Sequence, residues 1–375
     1  MSSRVLFVAG EPSGDAQAAR LATEMRAARP DLRLYGVGGP AMRAAGVDTV
    51  IDVTELSVMG ISEVAGGLGR VWSCYRRLRR DLRAADPPAL VVLVDFPDFN
   101  LRLAAAAHRA GVKVLYYVSP QVWAWRTGRI DKICRRVDRM IVLFPFELEI
   151  YRARGLDAHF VGYPLGEHVR ATRPPDETRA RHGLAADRPL VAVLPGSRAK
   201  TVAHMLPVML DAVARLGDRA ACAIALAPGL ERGPVEAAVD AAGTSVALVE
   251  DDTYNLLAAC DAAAVTSGTS TVECALLGRP MVAGYRMSRV SYAIARRLVN
   301  VSHIAMPNIL LNDSVVPELI QADFNGERLA AELAGFLDSP SRCEQVSARL
   351  AEVRAQLVRP GAAGQAAALA LEMIP

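Results

Sequence analysis

Short runs of apolar, β-favouring residues alternate with amphipathic stretches along almost the whole chain. In the first half the apolar runs are Val5–Ala9, Leu34–Val37, Ala89–Val94, Lys113–Val118 and Met140–Phe144. The run Ala89–Val94 is apolar at every position, which is typical of a parallel strand buried on both faces. Helical patterns lie between the runs, for example over 16–28. This serial β-α-β order predicts a doubly wound parallel sheet covered by helices.

A second series of the same kind follows a polar break. Residues 166–188 contain Arg-Pro-Pro-Asp-Glu-Thr and a run of charges, which is typical of a linker. New apolar runs then occur at Pro189–Leu194, Ala221–Leu226, Ala262–Val265 and Met281–Ala283. We therefore predict an α/β protein with two Rossmann-like domains that face a cleft. The first spans 1–165 and the second 189–345, and C-terminal helices over 346–375 are expected to pack back on the first domain.

The amino-acid composition argues against several classes of function. Of 375 residues, 52% are hydrophobic and 22% charged, as in globular proteins. Only three of the 43 basic residues are lysines, and none lies in Gly-Lys-Ser/Thr, which argues against a Walker loop. The six cysteines are widely spaced, as expected for reduced thiols in the cytoplasm. No apolar run approaches the roughly 20 residues that span a bilayer. A net charge of +3 argues against nucleic-acid binding.

Two turns of the second half are predicted to bind phosphate. After the strand that ends near Val265, Gly268 allows close approach of a ligand, and a helix begins near Thr269 with free N–H groups. Glu273 follows one turn later and could accept hydrogen bonds from a ribose diol. An ordinary helix cap is the alternative interpretation.

The second turn is Leu194–Arg198, Leu-Pro-Gly-Ser-Arg, directly after a strand. Ser197 and the planar fork of donors on Arg198 suit a diphosphate. A surface arginine after a turn is the alternative. The two turns together favour a pocket for a nucleoside diphosphate.

The first half carries carboxylates at two predicted strand ends. Gly10–Asp15, Gly-Glu-Pro-Ser-Gly-Asp, could present Glu11 and Ser13 to the cleft, while Asp15 could cap the helix that follows. It is not a dinucleotide-binding fingerprint, because Gly-x-Gly-x-x-Gly is absent.

The other strand end is Val94–Asn100, Val-Asp-Phe-Pro-Asp-Phe-Asn. It places Asp95, Asp98 and Asn100 at a carboxyl edge, where one of the two carboxylates could be a general base. Capping of the helix that starts near Phe99 is the alternative. Trp123 follows the next strand and could form a platform for a sugar, although core packing is a commoner use. The chain has no Asp-x-Asp, so a metal-bridged nucleotide-sugar site is not indicated. No cofactor is expected.

A basic amphipathic segment suggests a membrane-facing surface. The apolar residues Val58 and Met59 precede a stretch with six arginines between 70 and 83, among them Arg76 and Arg80. Trp72 starts an apolar stripe on this predicted helix. Such a helix can lie in the headgroup layer of an anionic membrane. Equally open at this point is a solvated helix whose apolar stripe faces the core.

These motifs together resemble the lipid-A-disaccharide synthase family of glycosyltransferases, which has the GT-B fold. The markers run nearly end to end: Gly10–Asp15, Gly36–Pro40, Val58–Gly60, Pro97–Asn100, Tyr117–Trp125, Leu194–Arg198, Ser267–Thr269 with Glu273, Gly284–Met287 and Met306–Asn308. The resemblance implies transfer of 2,3-diacylglucosamine from UDP-2,3-diacylglucosamine to the 6-hydroxyl of 2,3-diacylglucosamine 1-phosphate, with inversion and without metal. The product would be the β-1,6-linked disaccharide 1-phosphate precursor of lipid A.

The resemblance also implies roles for residues and a location. Asp98 would be the base, Arg198 a diphosphate ligand, and Asn308 part of the donor pocket. The protein would be cytoplasmic and peripheral on the cytosolic face of the inner membrane, which favours Val58–Arg83 as a membrane surface. A homodimer is a further expectation.

Two positions depart from the family pattern. Tyr163 stands in Gly-Tyr-Pro where Gly-His-Pro is expected, and Thr201 and Val202 stand where an acidic residue is expected. Tyrosine donates a hydrogen bond but cannot carry the cation that histidine can. Two alternatives to the transferase stay open. One is an isomerase like UDP-N-acetylglucosamine 2-epimerase, a class that resembles this fold and binds a UDP-sugar. The other, suggested by Tyr163 and Thr201, is an inactive paralogue that binds lipid or nucleotide.

Overall fold

The chain folds into two compact α/β units. The computed structural model describes residues 3–52, 64–125, 127–288, 291–293, 296 and 301–375, with the backbone alone described at 12, 64–68, 124 and 125. Unit 1 consists of residues 1–165 and 359–375, and unit 2 consists of residues 166–358.

Unit 1 is built on a seven-stranded parallel sheet. Its strands are β1 (Arg4–Ala9), β2 (Arg33–Gly38), β3 (Asp48–Asp52), β4 (Leu90–Val94), β5 (Lys113–Tyr117), β6 (Arg139–Ile141) and β7 (Asp157–His159), in the order β3-β2-β1-β4-β5-β6-β7. The helices are α1 (Pro12–Ala28), α2 (Pro40–Ala44), α3 (Val64–Asp81), α4 (Pro97–Arg109), α5 (Val122–Trp125), α6 (Ile130–Cys134) and α7 (Glu147–Arg152). The strand order reverses between β1 and β4, so ligands of this fold class bind beyond their carboxyl ends.

Unit 2 repeats this plan with six parallel strands. These are β8 (Leu190–Leu194), β9 (Ala221–Leu226), β10 (Ala247–Glu250), β11 (Ala262–Thr266), β12 (Met281–Tyr285) and β13 (Glu318–Ile320), in the order β10-β9-β8-β11-β12-β13. Its helices are α8 (Pro175–Arg181), α9 (Ala199–Leu216), α10 (Arg232–Ala242), α11 (Thr253–Ala259), α12 (Thr269–Leu276), α13 (Met306–Leu311), α14 (Gly326–Leu337) and α15 (Pro340–Leu357). Here the order reverses between β8 and β11.

The C-terminal segment completes the core of unit 1. Helix α16 (Ala362–Leu371) contributes Ala366 and Ala370 to the buried cluster that contains Leu21 and Met25 of α1. Small alanine side chains let the two helices approach closely above the sheet. Arg139 at the start of β6 also contacts α16, where it donates a hydrogen bond to the Leu369 carbonyl at 2.7 Å.

The boundaries differ from those expected from composition. The expected linker 166–188 lies within unit 2 and contains α8. Asn255 of α11 holds this segment, because its Oδ1 accepts the backbone N–H of Thr172 at 2.8 Å and of Arg173 at 3.1 Å. The expected boundary at 345/346 falls inside α15, and the chain re-enters unit 1 only at Arg359.

The fold class predicted from the apolar pattern is confirmed: the chain has two doubly wound parallel sheets flanked by helices. Every predicted apolar run contains a strand, although the last run of unit 1 shortens to Arg139–Ile141. The strands that the pattern missed are β3, β7, β10 and β13. Each lies at an edge of its sheet or is only three residues long, where an apolar signal is weak.

Candidate functional site

The two predicted phosphate loops of unit 2 lie side by side. Strands β8 and β11 are paired, with Leu194 opposite Val265, so the segments that follow them leave the sheet together. Gly196 has a φ of +114°, and a Cβ there would lie 3.8 Å from Cγ2 of Thr266. Ser197 and Arg198 are exposed at the start of α9. The structure therefore brings the two loops to one edge and leaves the Arg198 guanidinium on the surface.

The loop after β11 is held in place from below. The Ser267 N–H donates to the Gly284 carbonyl at 2.8 Å, and its hydroxyl donates to the Ile304 carbonyl at 2.6 Å. Gly268 and Thr269 are exposed, and α12 begins at Thr269 as the sequence predicts. The α12 N-terminus thus presents backbone N–H groups on a fixed loop, which suits an anionic ligand.

Thr266 adds a polar group to this edge. Its Oγ1 is buried at the end of β11 and has no hydrogen-bond partner among the described residues. Buried hydroxyls normally have a partner, and a bound polar molecule is one way to supply it. This hydroxyl was not among the residues singled out in the sequence.

Glu273 lies in the second turn of α12, largely buried. The Tyr254 hydroxyl of α11 donates to its Oε1 at 3.2 Å. Burial raises the pKa of Glu273, and the hydrogen bond from Tyr254 opposes this shift. Its other oxygen can accept hydrogen bonds from a ligand diol, as the sequence suggests, and Tyr254 is a neighbour that the sequence did not reveal.

Asn308 does not have the position that the sequence suggests. It lies in helix α13 rather than at a strand end, and its side chain is fully buried. Its amide donates to the Val316 carbonyl at 2.9 Å and to Glu318 at 2.8 Å, and its Oδ1 accepts the Val316 N–H at 2.9 Å. Glu318 also accepts the backbone N–H groups of Ile304 and Ala305. Asn308 therefore shapes the loop before α13 from inside.

In unit 1 the loop after β4 has an unusual backbone. Asp95 and Phe96 both adopt positive φ, 46° and 47°. The Tyr116 hydroxyl holds this turn by donating to the Asp95 carbonyl at 2.6 Å. Gly10 is required opposite it, because a Cβ there would lie 2.2 Å from the Phe96 ring. Strained backbone of this kind clusters at functional sites.

Asn100 anchors the same turn. Its amide group donates to the carbonyls of Val94 at 3.2 Å and Asp95 at 2.8 Å. Its Oδ1 is buried without a hydrogen-bond partner among the described residues. Asn100 is therefore mainly a support of the strand-end turn, with one acceptor atom unused.

Asp98 lies in the first turn of α4, because the helix starts at Pro97 rather than near Phe99. Proline is favourable at the first helical position, which explains the earlier start. The side chain is 71% exposed, and Arg129 donates to its Oδ1 at 2.7 Å. Its exposure at the carboxyl edge is compatible with a role as a base.

The loop after β1 is shorter than expected. Helix α1 starts at Pro12, so Glu11 is its N-cap residue and Ser13 lies exposed in the first turn. Asp15 does not cap its own helix. Its buried carboxylate instead accepts N–H groups at the start of α2, from Gly39 at 2.6 Å, Ala41 at 2.9 Å and Met42 at 3.2 Å.

Trp123 is held by a buried acid that the sequence did not indicate. Its indole N–H donates to Oε1 of Glu147 at 3.0 Å, and Glu147 has no exposed surface. The ring meets Phe146 edge to face, with centroids 4.8 Å apart. Tyr163, which departs from the family pattern, is buried and stacks on Phe144 at 6.0 Å. It is thus part of the aromatic packing beneath this site.

The predicted membrane surface splits into two faces. Leu78 and Leu82 are buried, so this part of the apolar stripe of α3 faces the core. Trp72 is 46% exposed, and Arg76 lies over its ring at 5.5 Å. Arg80 is also exposed. Val58 and Met59 lie outside the described residues.

Neither a membrane-spanning helix nor a metal-binding cluster of side chains occurs among the described residues. In that part of the chain no helix is long and apolar enough to cross a membrane. Within the same residues no group of three or more His, Cys, Asp or Glu side chains is arranged to hold a metal ion.

Comparison with known proteins agrees with the fold and the motifs. A sequence model of the family described as Lipid-A-disaccharide synthetase matches residues 5–373. The chain is 44% identical to lipid-A-disaccharide synthase of Geobacter metallireducens, with 100% of this chain and 98% of that protein covered. It is 40% identical to the Myxococcus xanthus enzyme of the same name, with 99% and 98% covered.

Solved structures share the fold at low identity. Anabaena HepE in complex with UDP-glucose has a TM-score of 0.60 at 14% identity, with 99% of this chain and 100% of that chain covered. A putative UDP-N-acetylglucosamine 2-epimerase from Listeria monocytogenes has a TM-score of 0.63 at 14% identity, with 99% and 95% covered. The whole-length match, and not these fold similarities, identifies the family. The chain belongs to the lipid-A-disaccharide synthase family of glycosyltransferases.

Proposed function

We propose that the chain transfers 2,3-diacylglucosamine from UDP-2,3-diacylglucosamine to 2,3-diacylglucosamine 1-phosphate. The new bond joins the 6-hydroxyl oxygen of the acceptor to the anomeric carbon of the donor, with inversion, and UDP leaves. The observation that carries this proposal is the 44% identity to lipid-A-disaccharide synthase over the full length. An epimerase-like isomerase is not favoured, because similarity to that class is limited to the fold at 14% identity.

Unit 2 would bind the donor. Arg198 and the N–H groups near Ser197, Gly268 and Thr269 lie at one edge and offer donors to a diphosphate. As the anomeric bond breaks, the electron pair moves to the departing UDP. Fixed donors stabilise this growing negative charge more than they stabilise the bound substrate, and that difference accelerates the reaction. Glu273 would orient the nucleotide by accepting hydrogen bonds from the ribose.

Unit 1 would bind and activate the acceptor. Asp98 takes the proton of the 6-hydroxyl as the oxygen attacks, so the carboxylate becomes a carboxylic acid and the hydroxyl becomes an ether oxygen. Arg129 holds the Asp98 side chain before the acceptor arrives. Trp123 supports the sugar ring. Glu11 and Ser13 stand at the neighbouring strand end as further acceptor contacts.

Helix α3 would provide contact with the membrane in which both acylated substrates reside. Trp72 and the arginines beside it form an exposed face that combines an aromatic ring with positive charge, as interfacial helices do. The test is co-sedimentation with vesicles containing anionic phospholipid. We expect binding that weakens with salt and falls for Trp72→Ser. Arg188→Gln, at a partly exposed arginine of unit 2, is the control and should leave binding unchanged.

The reaction is tested by incubating both substrates and identifying the product by mass spectrometry. The proposal requires a tetra-acylated disaccharide monophosphate and one UDP per product. Conversion of the UDP-sugar without acceptor would instead favour an isomerase.

A further inference from the structure

Glu147 ties together two loops at the carboxyl edge of the first sheet. Its Oε2 accepts the backbone N–H groups of Leu143 and Phe144, each at 3.0 Å, in the segment after β6. Its Oε1 accepts the indole N–H of Trp123, in the segment after β5, at 3.0 Å. The Glu147 carboxylate has no exposed surface, so water cannot reach its oxygens. The three N–H donors replace water and stabilise its negative charge.

The contacts fix the plane of the Trp123 ring. A single hydrogen bond leaves an indole free to swing about its N–H axis. The edge-to-face contact with Phe146, with an interplanar angle of 88°, removes that freedom. Phe146 is itself stacked on Phe144. The Glu147 carboxylate and the Phe146 ring therefore fix the orientation of the Trp123 ring together.

We propose that Glu147 is a positioning residue of the transferase, whose carboxylate orients Trp123 so that the indole ring receives the acceptor sugar. The inference rests on the proposed function, since it assigns Trp123 to the acceptor side. Ionised Glu147 holds the indole more strongly than a neutral group does, because charge-assisted hydrogen bonds are roughly twice as strong.

The ionisation of Glu147 falls in an accessible pH range. Burial raises its pKa to about 7, opposed by the N–H groups of Phe144 and Trp123 and by Ser119. Among the described residues, the titratable group packed against it is Tyr151 of its own helix. The Tyr151 hydroxyl is 2.7 Å from Ser119 Oγ, and burial raises the pKa of Tyr151 above its ordinary value. Protonation of Glu147 therefore weakens the hold on Trp123 as the pH falls through about 7.

The experiment compares Glu147→Gln, Trp123→Phe and the double variant in the full-length protein, with Glu149→Gln as the control on the exposed side of the same helix. We expect Glu147→Gln to raise the KM for the acceptor about tenfold, with kcat and the donor KM nearly unchanged. It should also abolish the rise in acceptor KM as the pH falls through 7. In the Trp123→Phe background, which lacks the indole N–H, Glu147→Gln should change the acceptor KM less than twofold.

The outcomes separate this inference from the function on which it rests. Multiplicative effects of the two substitutions, or an unchanged pH profile in folded Glu147→Gln, would overturn the positioning role while acceptor-dependent UDP release persists in the unmodified protein. Absence of that release in the unmodified protein would overturn the proposed function and this inference with it. Near-ultraviolet circular dichroism establishes that each variant is folded.

Discussion

The carboxylate of Asp98 is paired with the guanidinium of Arg129 at 2.7 Å. The aspartate side chain is 71% exposed and the arginine 26%. An ion pair this open contributes about 0–1 kcal/mol, so an incoming acceptor can replace it at little cost. The pair therefore orients Asp98 at the edge of the first sheet, and its weakness leaves the carboxylate available to an acceptor.

Replacement of Asp98 by Asn should remove the base while preserving the size of the side chain. We expect turnover to fall roughly 10²- to 10⁴-fold, because a positioned general base typically contributes that much to the rate. Initial rates of UDP release at saturating substrates measure it. Asp131→Asn is the matched control, since Asp131 is also an exposed partner of an arginine. A near-normal rate would move the role to Glu11 or Asp95.

Arg198 should act on the donor. Loss of its guanidinium in Arg198→Ala should raise the donor KM or lower kcat/KM by about 10- to 100-fold, the range for hydrogen bonds to a charged ligand. Arg198→Lys should recover part of the loss, because lysine keeps the charge but not the planar fork. Arg188→Ala, at a partly exposed arginine of unit 2, should have no effect. Equal losses for both variants would show a general effect of charge.

Asp15 should prove structural. Asp15→Ala leaves three backbone N–H groups at the start of α2 without their acceptor, so the free energy of unfolding should fall by about 2–4 kcal/mol. Urea unfolding measures this change, and kcat of the folded variant should stay within about threefold of normal. The exposed Asp31→Ala should alter stability by less than about 0.5 kcal/mol. Loss of turnover with normal stability would make Asp15 part of the site instead.

Glu147 should also make stability depend on pH. Its pKa is raised from 4.5 to about 7 in the folded state, so between these values the folded chain keeps a proton that the unfolded chain has lost. The free energy of unfolding should therefore fall as pH rises through this window, by about 1–3 kcal/mol, and then level off. Glu147→Gln should lack this decrease. Urea unfolding at pH 5, 6 and 8 measures this for Glu147→Gln and for Glu149→Gln, which should retain the decrease. The same pH dependence in both variants would show that another group causes the decrease.

Buried strands and helix starts are the parts of this fold that the local order of apolar and polar residues predicts. The run Leu90–Val94 is apolar throughout and forms a fully buried central strand, and Gly268 precedes a helix that starts at Thr269 as expected. A run that is apolar at every position is stable when both of its faces are buried, as they are in the centre of a parallel sheet. Strand-end loops follow from the order of strands, which is why Ser197 and Gly268 could be placed at one edge.

Side chains whose partners are distant in sequence could not be predicted in this way. Asp15 looks like a cap of its own helix but serves α2, whose position depends on tertiary packing. Asn308 looks like a strand-end ligand but is turned inward by Glu318, ten residues later. Glu147 has no sequence signal beyond an acidic residue in the first turn of a helix, a common and usually exposed arrangement.

The most direct test of the account is UDP release from UDP-2,3-diacylglucosamine with and without 2,3-diacylglucosamine 1-phosphate. Membership of the family predicts release that depends on the acceptor and is matched one to one by the disaccharide 1-phosphate. Release that is independent of the acceptor, or no release by folded protein across several acyl-chain lengths, would contradict the account.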